Sequence, residues 1–119
     1  MSNEQVVGVK STNANLPPAT LAALRRSLEE QREFRSEQLR RYSPDALDQA
    51  AEGQVEVHMR LFESARAVLT DVEDALARMD EGRYGVCEVC EKPIPLERLE
   101  IVPQARYCVR CQQARESRR

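Results

Sequence analysis

Four cysteines in two Cys-x-x-Cys pairs, Cys87/Cys90 and Cys108/Cys111, constrain this chain more than any other feature. A gap of two residues lets two thiolates turn onto one ion. Two such pairs complete a tetrahedron with no open position, which marks a structural zinc rather than a catalytic one. A redox dithiol, which needs only one pair, and an iron–sulfur cluster are the competing assignments that the spacing leaves open. Gly85 and the stretch Lys92-Pro93-Ile94-Pro95 offer the sharp turns of a small ribbon. With so little apolar bulk around the cysteines, the metal is expected to contribute directly to folding, so its removal should unfold the ribbon.

The remainder of the chain reads as helix. Thr20 is a candidate N-cap, followed by Leu21, Leu24 and Leu28 at helical spacing. The stretch from Leu21 to Tyr42 contains no Gly or Pro and is rich in Leu, Arg, Glu and Gln, all good helix formers. Ser43-Pro44-Asp45 breaks it, because Pro44 disfavours helical geometry at Ser43 yet suits the first turn of a new helix. A second helix is expected from about Asp45 to Asp80, with Gly53 tolerated inside it, at a length of roughly 50 to 55 Å. Its seam is Leu47, Ala51, Gln54, His58, Leu61, Ala65, Val68, Val72, Ala75 and Met79, in alternating steps of four and three. His58, the single histidine, falls on this seam and is expected there rather than as a metal ligand.

Two long helices joined by a short turn run antiparallel. The expected fold is therefore mostly α: a long antiparallel helical hairpin (a coiled coil), a small four-cysteine zinc ribbon and a short C-terminal helix. The expected division is an arm over 1–18, the hairpin over 19–81 with its tip at 43–50, and the zinc-binding unit over 82–119. Composition agrees with an extended molecule, since 32% of residues are charged, aromatics reach 4% and Trp is absent.

Charge and hydropathy narrow the partners. Lys plus Arg number 18 against 20 Asp plus Glu, whereas a phosphate-neutralising protein normally shows a basic excess. Sequence-specific DNA binding is therefore not expected, although Arg98, Arg106, Arg110, Arg115, Arg118 and Arg119 make the C-terminal third locally basic. No apolar run is long enough to span a membrane, and the N-terminus lacks a signal-peptide layout, so the expected location is the cytoplasm. No pocket, nucleophile or base is visible, and no enzymatic activity is expected.

At the tip, Asp45 and Asp48 lie three apart at the start of the expected second helix and would share one face. Acidic residues there can simply cap the helix. Yet Asp45-x-x-Asp48-x-Ala50, followed by Tyr84-Gly85-Val86-Cys87-Glu88-Val89-Cys90, Pro93-Ile94, Arg98-Leu99-Glu100 and Pro103 ahead of Cys108-Val109-Arg110-Cys111, resembles the DksA/TraR family of bacterial transcription regulators over roughly residues 20–116.

That resemblance implies a protein that binds RNA polymerase rather than promoter DNA. Its coiled-coil hairpin would enter the secondary channel, and the tip aspartates would alter promoter complexes and so modulate initiation. It implies functional roles for Asp45 and Asp48, with Ala50 small enough for close approach. A well-known member binds guanosine tetraphosphate through basic residues, and the matching positions here are Asp71, Val102 and Gln112, none basic. A weak or absent response to the alarmone through that site is expected. The alternatives are a zinc-ribbon nucleic-acid binder and a structural coiled-coil dimer.

Overall fold

The computed structural model describes residues 15–48 and 50–117, without the Leu47 side chain; residues 1–14 of the arm expected over 1–18, Gln49, Arg118 and Arg119 lie outside the described residues. The chain forms an elongated body of 66 × 32 × 20 Å. Helix α1 spans Pro18–Arg41. It begins earlier than a Thr20 cap would allow because Pro18 occupies the first helical position, where no N–H is needed, and the N–H of Leu21 reaches the Pro17 carbonyl at 2.9 Å. Arg40 and Arg41 fill the last turn, where cations complement the helix dipole.

The expected second helix is divided. A single turn, α2, covers Pro44–Leu47, and the long helix α3 starts only at Val55 and runs to Asp80. The break falls at Gly53, whose φ of +92° no interior helical residue adopts. Gly53 is therefore not a tolerated interruption; it ends the connection between the two helical pieces. Helix α3 has 26 residues, and its length is about 39 Å rather than 50 to 55 Å. Its C-terminus closes with Gly82 at φ +76°. The N–H of Arg83 bonds the Arg78 carbonyl and that of Gly82 the Met79 carbonyl, so two orphan carbonyls are satisfied by a left-handed cap.

Helices α1 and α3 pack along their length as an antiparallel hairpin. From Ala65 onward the counted seam is the buried one: Ala65, Val72, Ala75 and Met79 are buried and Val68 packs against them. Ala51 and Gln54, at the distal end of that seam, are exposed, as the break at Gly53 requires. His58 sits on the seam with its ring 5.2 Å from that of Tyr42, joining the two helices near the tip.

The main core lies at the other end. Leu24 and Leu28 of α1 and Val72, Ala75, Leu76 and Met79 of α3 form one cluster with Tyr84, Cys87, Ile94, Leu99 and Ala105 of the cysteine-bearing segment. Leu76 lies off the counted seam, yet it is buried in the cluster that α1, α3 and the cysteine-bearing segment share. Two further helices belong to this segment, α4 over Leu96–Ile101 and α5 over Val109–Glu116. Among the described residues no strand forms; the ribbon is reduced to one antiparallel bridge between Val86 and Pro93.

Candidate metal centre and hairpin tip

The first cysteine pair is shaped by a tight backbone loop. The N–H of Cys87 bonds the Lys92 carbonyl at 2.9 Å, the N–H of Glu91 returns to the Cys87 carbonyl at 2.9 Å, and the N–H of Ile94 reaches the Gly85 carbonyl at 2.8 Å. Glu91 takes a left-handed φ of 64° to close it. The second pair opens α5, with Cys108 as its N-cap and Cys111 inside its first turn. The N–H of Glu88 bonds the Arg106 carbonyl at 2.9 Å and ties the two halves together.

All four cysteines are free thiols, and their Sγ atoms lie within 4.8 Å of one another. A tetrahedral site with metal–sulfur bonds of about 2.3 Å has edges of roughly 3.8 Å. The Cys90 and Cys108 sulfurs are 3.8 Å apart. The donor set therefore fits one zinc ion in number, type and spacing. Burial pushes the Cys87 thiol up, but backbone hydrogen bonds from Cys90, Cys108 and Val89 outweigh it and hold the thiol down at about 6. Cys108 is likewise lowered, chiefly by the backbone of Cys111, while Cys111 is pushed up to about 12 by its contact with Cys108 and by burial. Four thiols this close cannot all ionise unless a cation shares their charge, as zinc would.

Around this centre stands a polar network that the sequence does not announce. Tyr84 is fully buried and its hydroxyl donates to the Pro103 carbonyl at 2.8 Å. Arg78 is 3% exposed on α3 and donates to the Ala105 carbonyl at 3.3 Å, with its Nη1 3.3 Å from Oε2 of Glu88. Burial pushes its guanidinium below the ordinary arginine value, and Glu88 counters only part of this. Arg106 donates Nε to Asp71 Oδ1 at 3.0 Å and Nη2 to Asp74, and its Nη1 lies 3.5 Å from Oε1 of Glu88. Burial opposes the charge on Arg106, but the hydrogen bonds to Asp74 and Asp71 prevail and raise its pKa. No periodicity signals these contacts, because each joins a helix position to a turn far along the chain.

At the opposite end, Asp45 lies in the first turn of α2 and Asp48 caps its C-terminus. Both are exposed and Ala50 is half-buried. Among the described residues neither carboxylate makes a hydrogen bond, and Ser43 contributes no side-chain cap. Asp48 therefore does not sit in the first turn of a long helix, where a capping role would place it. Of the positions matched to the alarmone site, Asp71 is held by Arg106, Val102 packs against the core, and the Gln112 amide donates to Glu116 at 2.8 Å.

Comparison with known proteins gives this arrangement its class. Residues 82–117 match the family described as the prokaryotic dksA/traR C4-type zinc finger. The whole fold is similar to that of transcription factor DksA2 from Pseudomonas aeruginosa, with a TM-score of 0.71 and 26% identity over 85% of this chain and 86% of that one. The cysteine-bearing segment thus has the make-up of a dksA/traR-type C4 zinc finger, set in a mostly helical chain as the sequence led us to expect. More particularly, the chain is 36% identical over 62 residues to the RNA polymerase-binding transcription factor DksA of Caulobacter vibrioides, covering 52% of this chain and 44% of that protein. It is 32% identical over 76 residues to the protein of the same name in Escherichia coli, covering 63% and 50%. General stress protein 16O of Bacillus subtilis is 51% identical over 47 residues, 40% of this chain and 29% of that one. The matched region thus spans half or less of the length of these curated relatives. No described helix is long and apolar enough to cross a membrane.

Proposed function

We propose that this chain is a transcription regulator that binds bacterial RNA polymerase in the cytoplasm. In this reading Cys87, Cys90, Cys108 and Cys111 hold one structural zinc ion. The zinc-bearing end docks on the polymerase surface while the hairpin enters the secondary channel and carries Asp45, Asp48 and Ala50 toward the active centre. The observation that carries the reading is the placement of two exposed carboxylates, without a partner among the described residues, at the far end of a hairpin from the cysteine cluster. Carboxylates delivered there can perturb a catalytic magnesium or meet basic residues around it. Two of the relatives are named RNA polymerase-binding transcription factors, which agrees with such a partner.

The test is a titration against RNA polymerase core with an Asp45→Asn/Asp48→Asn variant alongside. Both proteins are expected to bind, and only the unmodified chain to change open-complex lifetime. Absence of binding by either would end the proposal. Equal effects of both on lifetime would remove the tip from it. We propose further that guanosine tetraphosphate adds little through the α3–finger surface, since Asp71 there is already paired with Arg106. A strong added effect of the nucleotide in the same assay would refute that.

A further inference from the structure

Glu88 stands between the two cysteines of the first pair and is the meeting point of two arginines. Oε2 lies 3.3 Å from Arg78 Nη1 and Oε1 lies 3.5 Å from Arg106 Nη1. Arg78 belongs to α3 and is almost wholly buried, and its Nε and Nη1 make no hydrogen bond among the described residues. Arg106 comes from the finger and grips Asp71 and Asp74, one turn apart on the same helix. The result is a closed circuit of charge from the metal-binding loop to the rod and back.

We infer that Glu88, through Arg78 and Arg106, couples the metal-bound state of the finger to the hairpin rod, so that the joint between them is firm only when the cysteines are held together. The physical reason lies in Arg78. A buried guanidinium left without its counter-charge is costly, and several unmatched donors make it more so. Glu88 supplies that counter-charge only while the loop Cys87–Cys90 keeps its shape. Cys87 and Cys90 keep that shape when both ligate one ion. Coupling of this kind is reciprocal: if metal binding firms the rod, then weakening the rod's side of the circuit must weaken metal binding by the same factor.

Reciprocity provides the test, carried out on the isolated, zinc-loaded chain and so independent of whether polymerase is the partner. An Asp71→Asn/Asp74→Asn variant alters α3 alone and touches no cysteine. Competition with a chromophoric chelator is expected to show its zinc affinity lowered about five- to tenfold. In Glu88→Gln with zinc bound, amide hydrogen exchange over residues 71–80 is expected to quicken about tenfold. Glu56→Gln, which removes an exposed pair with Arg60 elsewhere on α3, should leave both measurements unchanged. Zinc affinity unchanged within about twofold in the Asp71/Asp74 variant would overturn the inference. So would unaltered exchange in Glu88→Gln. If Glu88→Gln does not fold, the Asp71/Asp74 measurement decides alone.

Discussion

The two ends of the hairpin are built from the same kinds of residue and held by different means. At the finger end, Leu24, Leu28, Val72, Ala75 and Met79 are sealed by a third body that adds Tyr84, Ile94, Leu99 and Ala105. Toward the tip, among the described residues, the two helices pack on each other with only the short turn α2 beside them. Phe34 is 58% exposed, and Val55, Val57 and Met59 are exposed too. A two-helix rod buries one stripe of each helix, and without a third layer that stripe is narrow. Stability therefore resides at the cysteine-bearing end, while the tip, which we propose to be the acting end, is left lightly packed. Regions that engage ligands are commonly drawn from the less stable part of a fold.

Five changes sharpen this contrast, beginning with the largest. Chelation of zinc should dissolve the finger and, with it, the packing on Leu24, Leu28 and Met79; circular dichroism and hydrogen exchange should show the loss spreading from the cysteines into the proximal rod. Residual full protection of α3 over 71–80 after metal removal would break the comparison. Leu28→Ala, at a wholly buried position, should cost about 2–5 kcal/mol in denaturant titration. Phe34→Ala, on the same helix but exposed, should cost no more than about 0.5 kcal/mol. Similar losses at the two sites would mean that the rod is uniformly packed after all. Tyr84→Phe removes the bond to the Pro103 carbonyl and should cost about 1–2 kcal/mol without loss of zinc, checked by the same titration together with metal analysis. Gly53→Ala meets no atom within 4 Å, so its cost is the left-handed backbone alone, about 1–2 kcal/mol, and local to the tip. Faster exchange confined to the residues around Gly53 is the expected signature.

How much is legible in the sequence follows the same division. The cysteine pairs can be read because metal ligation imposes a fixed local spacing, and the proximal seam because a helix facing one neighbour repeats. Reading fails where either condition fails. Gly53 lies within a run of good helix formers, and nothing local distinguishes a tolerated glycine from one that breaks the helix. Leu76 and Arg78 are buried off the heptad, and Arg78 is so because it reaches Ala105 and Glu88 of the finger. Helix α4 is too short, at 6 residues, for periodicity to register. In the sequence Asp71 registers only as the lack of a basic residue, whereas the structure gives it a positive assignment as the partner of Arg106. Residues such as Glu88 and Arg106 acquire meaning only from neighbours that the fold brings to them.

The shared core also sets an order of events during synthesis. Helix α1 leaves the ribosome first, yet its buried leucines close against residues of the finger, and Gln31 meets Gln104 across a separation of 73 positions. Contacts so distant in sequence form late, because the intervening chain must be gathered before they give anything back. A nascent chain can thus draft its hairpin but cannot lock the proximal half until the last cysteine has emerged and metal is at hand. The supply of zinc at that moment, rather than the rate of helix formation, would then govern how long the unfinished rod remains open to proteolysis or misassociation.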